Sequence, residues 1–137
     1  MTPEAAYNQA RITQLMRIAS LPVFVGMVLL FGPQVGKSMD VEVWMHLLLF
    51  AFGLLILGSL PYVERFSRRN LPGLTGEGRI RQLATSTQII ASIAEAPAVL
   101  GVVVSLISQS PIDVCVMGLI SLIGLLRYYP QKEQWTT

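Results

Sequence analysis

Residues 81–110 read RQLATSTQIIASIAEAPAVLGVVVSLISQS, and the fold turns on this stretch. It is long and apolar enough to cross a membrane as a helix, and it carries one carboxylate, Glu95, near its middle. Thr85, Gln88, Ser92 and Glu95 recur at helical intervals, so they share one stripe and leave Ile89, Ile90, Ile93, Leu100 and Val103 on other faces. Counted from Arg81, the carboxylate lies ~21 Å along the helix, near the bilayer midplane. An ionised acid facing hydrocarbon there costs several kcal/mol, so Glu95 must be protonated, paired, or turned into a protein-lined or water-lined interior. A group so placed can load and release a proton, or hold a sodium ion where other oxygens converge. Ser92, one turn away, and the carbonyl of Ile93, whose helical donor Pro97 removes, are the nearest such oxygens. The structural alternative is a protonated Glu95 that hydrogen-bonds a neighbouring helix and fixes packing.

The composition agrees with a membrane protein. Of 137 residues, 53% are hydrophobic and only 13% charged, and the mean hydropathy is +0.58, which is not a soluble profile. The length suits one domain, residues 1–137. A net charge of +2 does not point to nucleic acid, because the arginines flank apolar runs and follow from membrane topology. The single cysteine, Cys115, offers neither a disulfide framework nor a thiolate cluster, and its apolar neighbours suggest a small buried residue. There is no HExxH, no Cys or His cluster, and no nucleophile with a base and an orienting acid, so no catalytic residue, metal or cofactor is expected. Gly73-Leu74-Thr75-Gly76-Glu77-Gly78 lacks the preceding strand and the lysine of a phosphate-binding loop and reads as a connection.

In chain order, Thr2, Pro3 and Glu4 mark a helix start, with Thr2 as N-cap. That helix is expected to run into a first span at about 12–31. No small-x-small cleavage site follows Leu30, so this span is expected to be retained. Gly32-Pro33 and the polar run to Asp40 read as a turn. A second span covers about 41–63, a polar loop 64–81, a third span about 82–107, a turn Ser108 to Pro111, and a fourth span about 112–129. In the fourth, Asp113 and Arg127 sit at the two interfaces. The expectation is an all-α membrane protein with four transmembrane helices, a bundle of two hairpins.

Four spans put both termini and the 64–81 loop on one side. Nine of the ten basic residues fall there, and only Lys37 falls opposite, so that side is expected to be cytoplasmic in a bacterial inner membrane. Tyr62, Tyr128, Tyr129 and Trp135 then mark the cytoplasmic interface, and Trp44 the other. Arg17 reads as an interfacial residue snorkelling to lipid phosphate, and His46 as a lone residue near the outer interface, which leaves Glu95 without a basic partner at its depth. Gly118, Ser121 and Gly124 form a small-residue series in the fourth span, the expected packing seam. Residues 18–26, IASLPVFVG, match 93–101, IAEAPAVLG, at Ile, Ala, Pro and Gly with constant offset. If this is a duplication, Ser20 stands where Glu95 does.

Residues 90–104, IASIAEAPAVLGVVV, resemble the carboxylate-bearing helix of the membrane proteolipid, the c or K subunit, of rotary ATP synthases and ATPases. The hairpin of about 41–110 is similar to a proteolipid hairpin in its order of inward helix, arginine-bearing loop and outward helix with a central acid. The whole chain resembles small bacterial four-helix membrane proteins that end in a Tyr-Tyr-Pro-like segment and a charged tail. The proteolipid likeness implies a site at Glu95, helped by Ser92 and Gln88, that reversibly binds a proton or sodium ion, within a homo-oligomer or beside other membrane subunits. The alternative expectation is a non-catalytic accessory or scaffold subunit in the lipid bilayer.

Overall fold

The computed structural model describes residues 2–32 and 42–136, which form helices and no strand. The turn expected from Pro33 to Asp40, with Lys37, lies outside the described residues. Four long helices follow one another: α1 (Pro3–Phe31), α2 (Val43–Ser67), α3 (Gly76–Ser108) and α4 (Ile112–Arg127). A short helix α5 (Glu133–Thr136) closes the chain. The first three are long and apolar enough to cross a membrane. The fourth has 16 residues, ~24 Å of rise against a hydrocarbon core of about 30 Å.

The N-terminus forms as expected. Thr2 Oγ1 accepts the Ala5 N–H at 3.3 Å with Pro3 opening the helix, which satisfies one of the unpaired donors of the first turn. The helices overrun their expected limits at the arginine-rich end. α2 continues through Ser67 and α3 already begins at Gly76, so the polar segment is a short connection through a 3-10 turn at Leu71–Gly73. Arg65 belongs to α2, and Arg79 and Arg81 to α3. At ~50 Å, α3 exceeds the hydrocarbon thickness, and its first turns stand outside an apolar layer. At the other end Gln109 takes a left-handed conformation, φ 53°, and turns the chain tightly into α4.

α3 is the central helix. Its buried residues, including Leu83, Ile90, Ala94, Ala98, Gly101 and Ser105, recur at helical spacing. α4 packs antiparallel along it, with Val114 N–H donating to Ser105 Oγ at 2.8 Å and Ala98 N–H donating to Ser121 Oγ at 2.9 Å. α2 runs parallel to α4, where Gly53 meets Met117 and Leu60 meets Gly124. α1 runs parallel to α3 and meets α4 through buried Gln14, whose Nε2 donates to the Leu125 carbonyl at 2.9 Å, near the end of α4. The main core gathers Leu21, Leu60, Ile90, Ala91, Ala94, Ala98 and Leu125 from all four helices. A second cluster at the arginine-rich end seats Trp135 of α5 among Ala6, Ala10 and Leu83. Trp135 is therefore a buried wedge at 4% exposure, not the interfacial belt residue expected of it. Tyr62 and Trp44 are exposed as a belt requires.

Candidate functional site

The stripe on α3 closes on Arg17 of α1. Arg17 Nη1 donates to Glu95 Oε2 at 2.8 Å, and Nη2 donates to Gln88 Oε1 and Ser92 Oγ, both at 3.2 Å. The Ser20 hydroxyl donates to the Arg17 carbonyl at 2.6 Å and lies 3.2 Å from Glu95 Oε1. One planar guanidinium thus spans two turns of the neighbouring helix, a use to which its fixed fork of donors is suited. Gln88, Ser92 and Glu95 come together as the spacing predicts. Thr85 does not join them; its hydroxyl donates to the carbonyl of Arg81 in its own helix.

Two expectations are overturned here. Arg17 is not an interfacial residue reaching for phosphate, and Glu95 does not lack a basic partner at its depth. The reason is parallel packing. Arg17 lies ~21 Å from the Phe31 end of α1 and Glu95 ~20 Å from the Ser108 end of α3, so the two are level. The aligned segments 18–26 and 93–101 lie side by side in the same sense, and Ser20, the counterpart of Glu95, touches it. The ion pair is not sealed. The Arg17 and Glu95 side chains remain 21% and 20% exposed, and Gln88 and Ser92 lie on the open edge.

A second polar pair went unread in the sequence. His46 Nδ1 lies 2.7 Å from Asp113 Oδ1, so His46 is not a lone interfacial residue. Both occupy the first turn of helices, α2 and α4, that start at the same end of the bundle, and that shared register was the available signal. Asp113 is buried, and its Oδ2 has no hydrogen-bond partner among the described residues.

Of the three residues of the expected seam on α4, Ser121 and Gly124 lie against neighbouring helices and Gly118 does not. Ser121 is buried and sits where Pro97 interrupts α3: it accepts from the Ala98 N–H, and its hydroxyl lies 3.5 Å from the Glu95 carbonyl. α4 thus supplies polar contact where proline disturbs the ladder. Gly124 admits Ala94 and Leu60 closely. Gly118 has nothing within 4 Å of where a Cβ would lie and is outside the seam, because steps of three drift around a helix of about 3.6 residues per turn. Val114 and Met117 complete the contact line instead. Cys115, expected to be buried, lies on an exposed face of α4. Among the described residues no group of three His, Cys, Asp or Glu side chains could hold a metal.

Fold and site define an all-helical protein with three helices of membrane-spanning length, two of which, α1 and α3, are joined near their middles by a polar cluster centred on one arginine. No protein-family model matches the chain, and no curated protein or solved structure matches it.

Proposed function

We propose that this chain is a non-catalytic accessory or scaffold subunit of a membrane assembly, in which the Arg17–Glu95 pair locks α1 to α3 and offers its open edge to a neighbouring helix. One observation carries the reading. The carboxylate is held by a guanidinium at 2.8 Å, and about a fifth of each side chain is left uncovered. Charged groups at membrane depth face protein or water and not lipid, so the uncovered edge, with Gln88 and Ser92, suits a polar contact from another subunit or a second copy. All four long helices cross the membrane in this reading. α4 is the shortest, with Arg127 snorkelling at one end and Asp113 shielded by His46 at the other. The arginine-rich end, with both termini, faces the cytoplasm of a bacterial inner membrane by the excess of basic residues there.

A second reading, a proteolipid-like site at which Glu95 reversibly binds a proton or sodium ion, is favoured by the Ser20 oxygen 3.2 Å from a carboxylate that is still 20% exposed, with the oxygens of Ser92 and Gln88 on the same guanidinium. It requires Arg17 to swing aside. Carbodiimide labelling in native membranes separates the two. The scaffold reading expects no modification of Glu95 in the wild type between pH 5 and pH 9, and modification once Arg17→Gln opens the pair. Wild-type labelling that sodium suppresses, or that depends on pH, overturns it in favour of ion binding.

A further inference from the structure

At the arginine-rich end the last turns of α2 and α4 and the segment leading to α5 border an open cavity of about 390 Å³, lined by Glu64, Arg65, Arg68, Arg127, Tyr128 and Tyr129 among others. Arg68 is partly committed, its Nη1 lying 3.0 Å from Glu64 Oε1 and donating to Gln134 Oε1 at 3.1 Å. Its Nε, by contrast, is buried with no hydrogen-bond partner among the described residues. Arg65 and Arg127 are exposed and make no ion pair among the described residues. Three guanidiniums therefore face one carboxylate, and a buried donor is left without an acceptor. Two helix C-termini add partial negative charge here, which the arginines outnumber.

We infer that this cavity binds the phosphate of an anionic phospholipid, with Arg65 and Arg127 as its charged contacts, Arg68 Nε as a buried donor and Tyr128 and Tyr129 in its wall. A doubly liganded phosphate is the acceptor that planar guanidiniums fit best. A lipid is favoured over a free phosphate by the exposed apolar surface at the same end of the bundle. Tyr62, Phe66 and Leu126, next in sequence to the lining residues of the cavity, are 72%, 81% and 55% exposed, an apolar surface for acyl chains on the last turns of the two helices that carry Arg65 and Arg127. The inference needs only that the bundle sits in a bilayer and is independent of what Arg17 and Glu95 do.

Lipid retention by the purified chain in neutral detergent, read by native mass spectrometry, tests it. Phosphatidylglycerol is expected to bind at least tenfold more tightly than phosphatidylcholine. Removing a basic group near a membrane surface weakens anionic-lipid binding about fivefold, so Arg65→Gln with Arg127→Gln should lose about 25-fold. Arg69→Gln with Arg81→Gln, which takes equal charge from the same end but outside the cavity, should lose under threefold. If the double cavity variant folds poorly, Arg127→Gln alone is expected to lose about fivefold. Equal losses in cavity and control variants would reduce the effect to diffuse charge and overturn the site. Displacement of phosphatidylglycerol by equimolar inorganic phosphate would overturn the lipid assignment.

Discussion

Replacing Arg17 with methionine removes the guanidinium while keeping much of the apolar stem, and among the described residues it leaves the Glu95 carboxylate with only the Ser20 hydroxyl as a side-chain partner. Breaking a fully buried pair by deleting one partner costs ~3–5 kcal/mol, and an exposed pair is worth ~0–1 kcal/mol. With the two side chains about four-fifths buried, the cost should fall at ~2–4 kcal/mol. The upper part of that range applies in a bilayer, where the open edge does not face bulk water. Replacing both partners, Arg17→Met with Glu95→Leu, removes the stranded charge and should return to within about 1 kcal/mol of the wild type. The assay is reversible unfolding in mixed micelles of neutral detergent and sodium dodecyl sulfate, followed by circular dichroism, with the two single variants and the double variant forming a cycle. A coupling energy of about 2 kcal/mol is expected. If Arg17→Met unfolds within about 0.5 kcal/mol of the wild type and the coupling is near zero, the pair neither forms in the membrane nor joins α1 to α3.

Two further predictions use the same unfolding assay. Gly101→Ala should destabilise by ~1–3 kcal/mol, since a Cβ there would meet the Met117 Cβ at 2.8 Å and the Asp113 carbonyl and Val114 Cα at 3.0 Å; Gly118→Ala, with open space around it, should be neutral or gain up to ~1 kcal/mol, and the reverse order would refute the α3–α4 seam. His46→Ala should cost ~1–3 kcal/mol by leaving the buried Asp113 carboxylate without a partner, and Asp113→Leu in that background should restore most of the loss; a neutral His46→Ala would mean that the pair contributes nothing.

What could be read along the chain was whatever a single helix displays. The Thr2-Pro3 start, the three long apolar runs, the Ser108–Pro111 turn and the polar stripe on α3 depend on local spacing and were legible. What could not be read was which helices are neighbours and at what level. Arg17 looked interfacial because it opens an apolar run. The alternation of spans already makes α1 and α3 parallel, but its pairing with Glu95 depends on the two lying side by side with residues 17 and 95 level, which no periodicity encodes. Burial was the other blind spot. In water an apolar residue signals the core, but in a membrane both core and lipid-facing positions are apolar, so the neighbours of Cys115 could not tell one from the other. For the same reason Trp135 resembled an interfacial anchor, when it fills a gap between two alanines of α1 and Leu83 of α3.

The seat of Trp135 also bears on the order of assembly. The indole lies against Ala6 and Ala10, so the first helix to enter the bilayer finishes its packing only after the tail beyond the last long helix has been synthesised. Until then the site formed by Ala6, Ala10 and Leu83 lacks the indole that fills it. A bulky fusion placed just behind that tryptophan would act on the beginning of the chain, far from its own point of attachment.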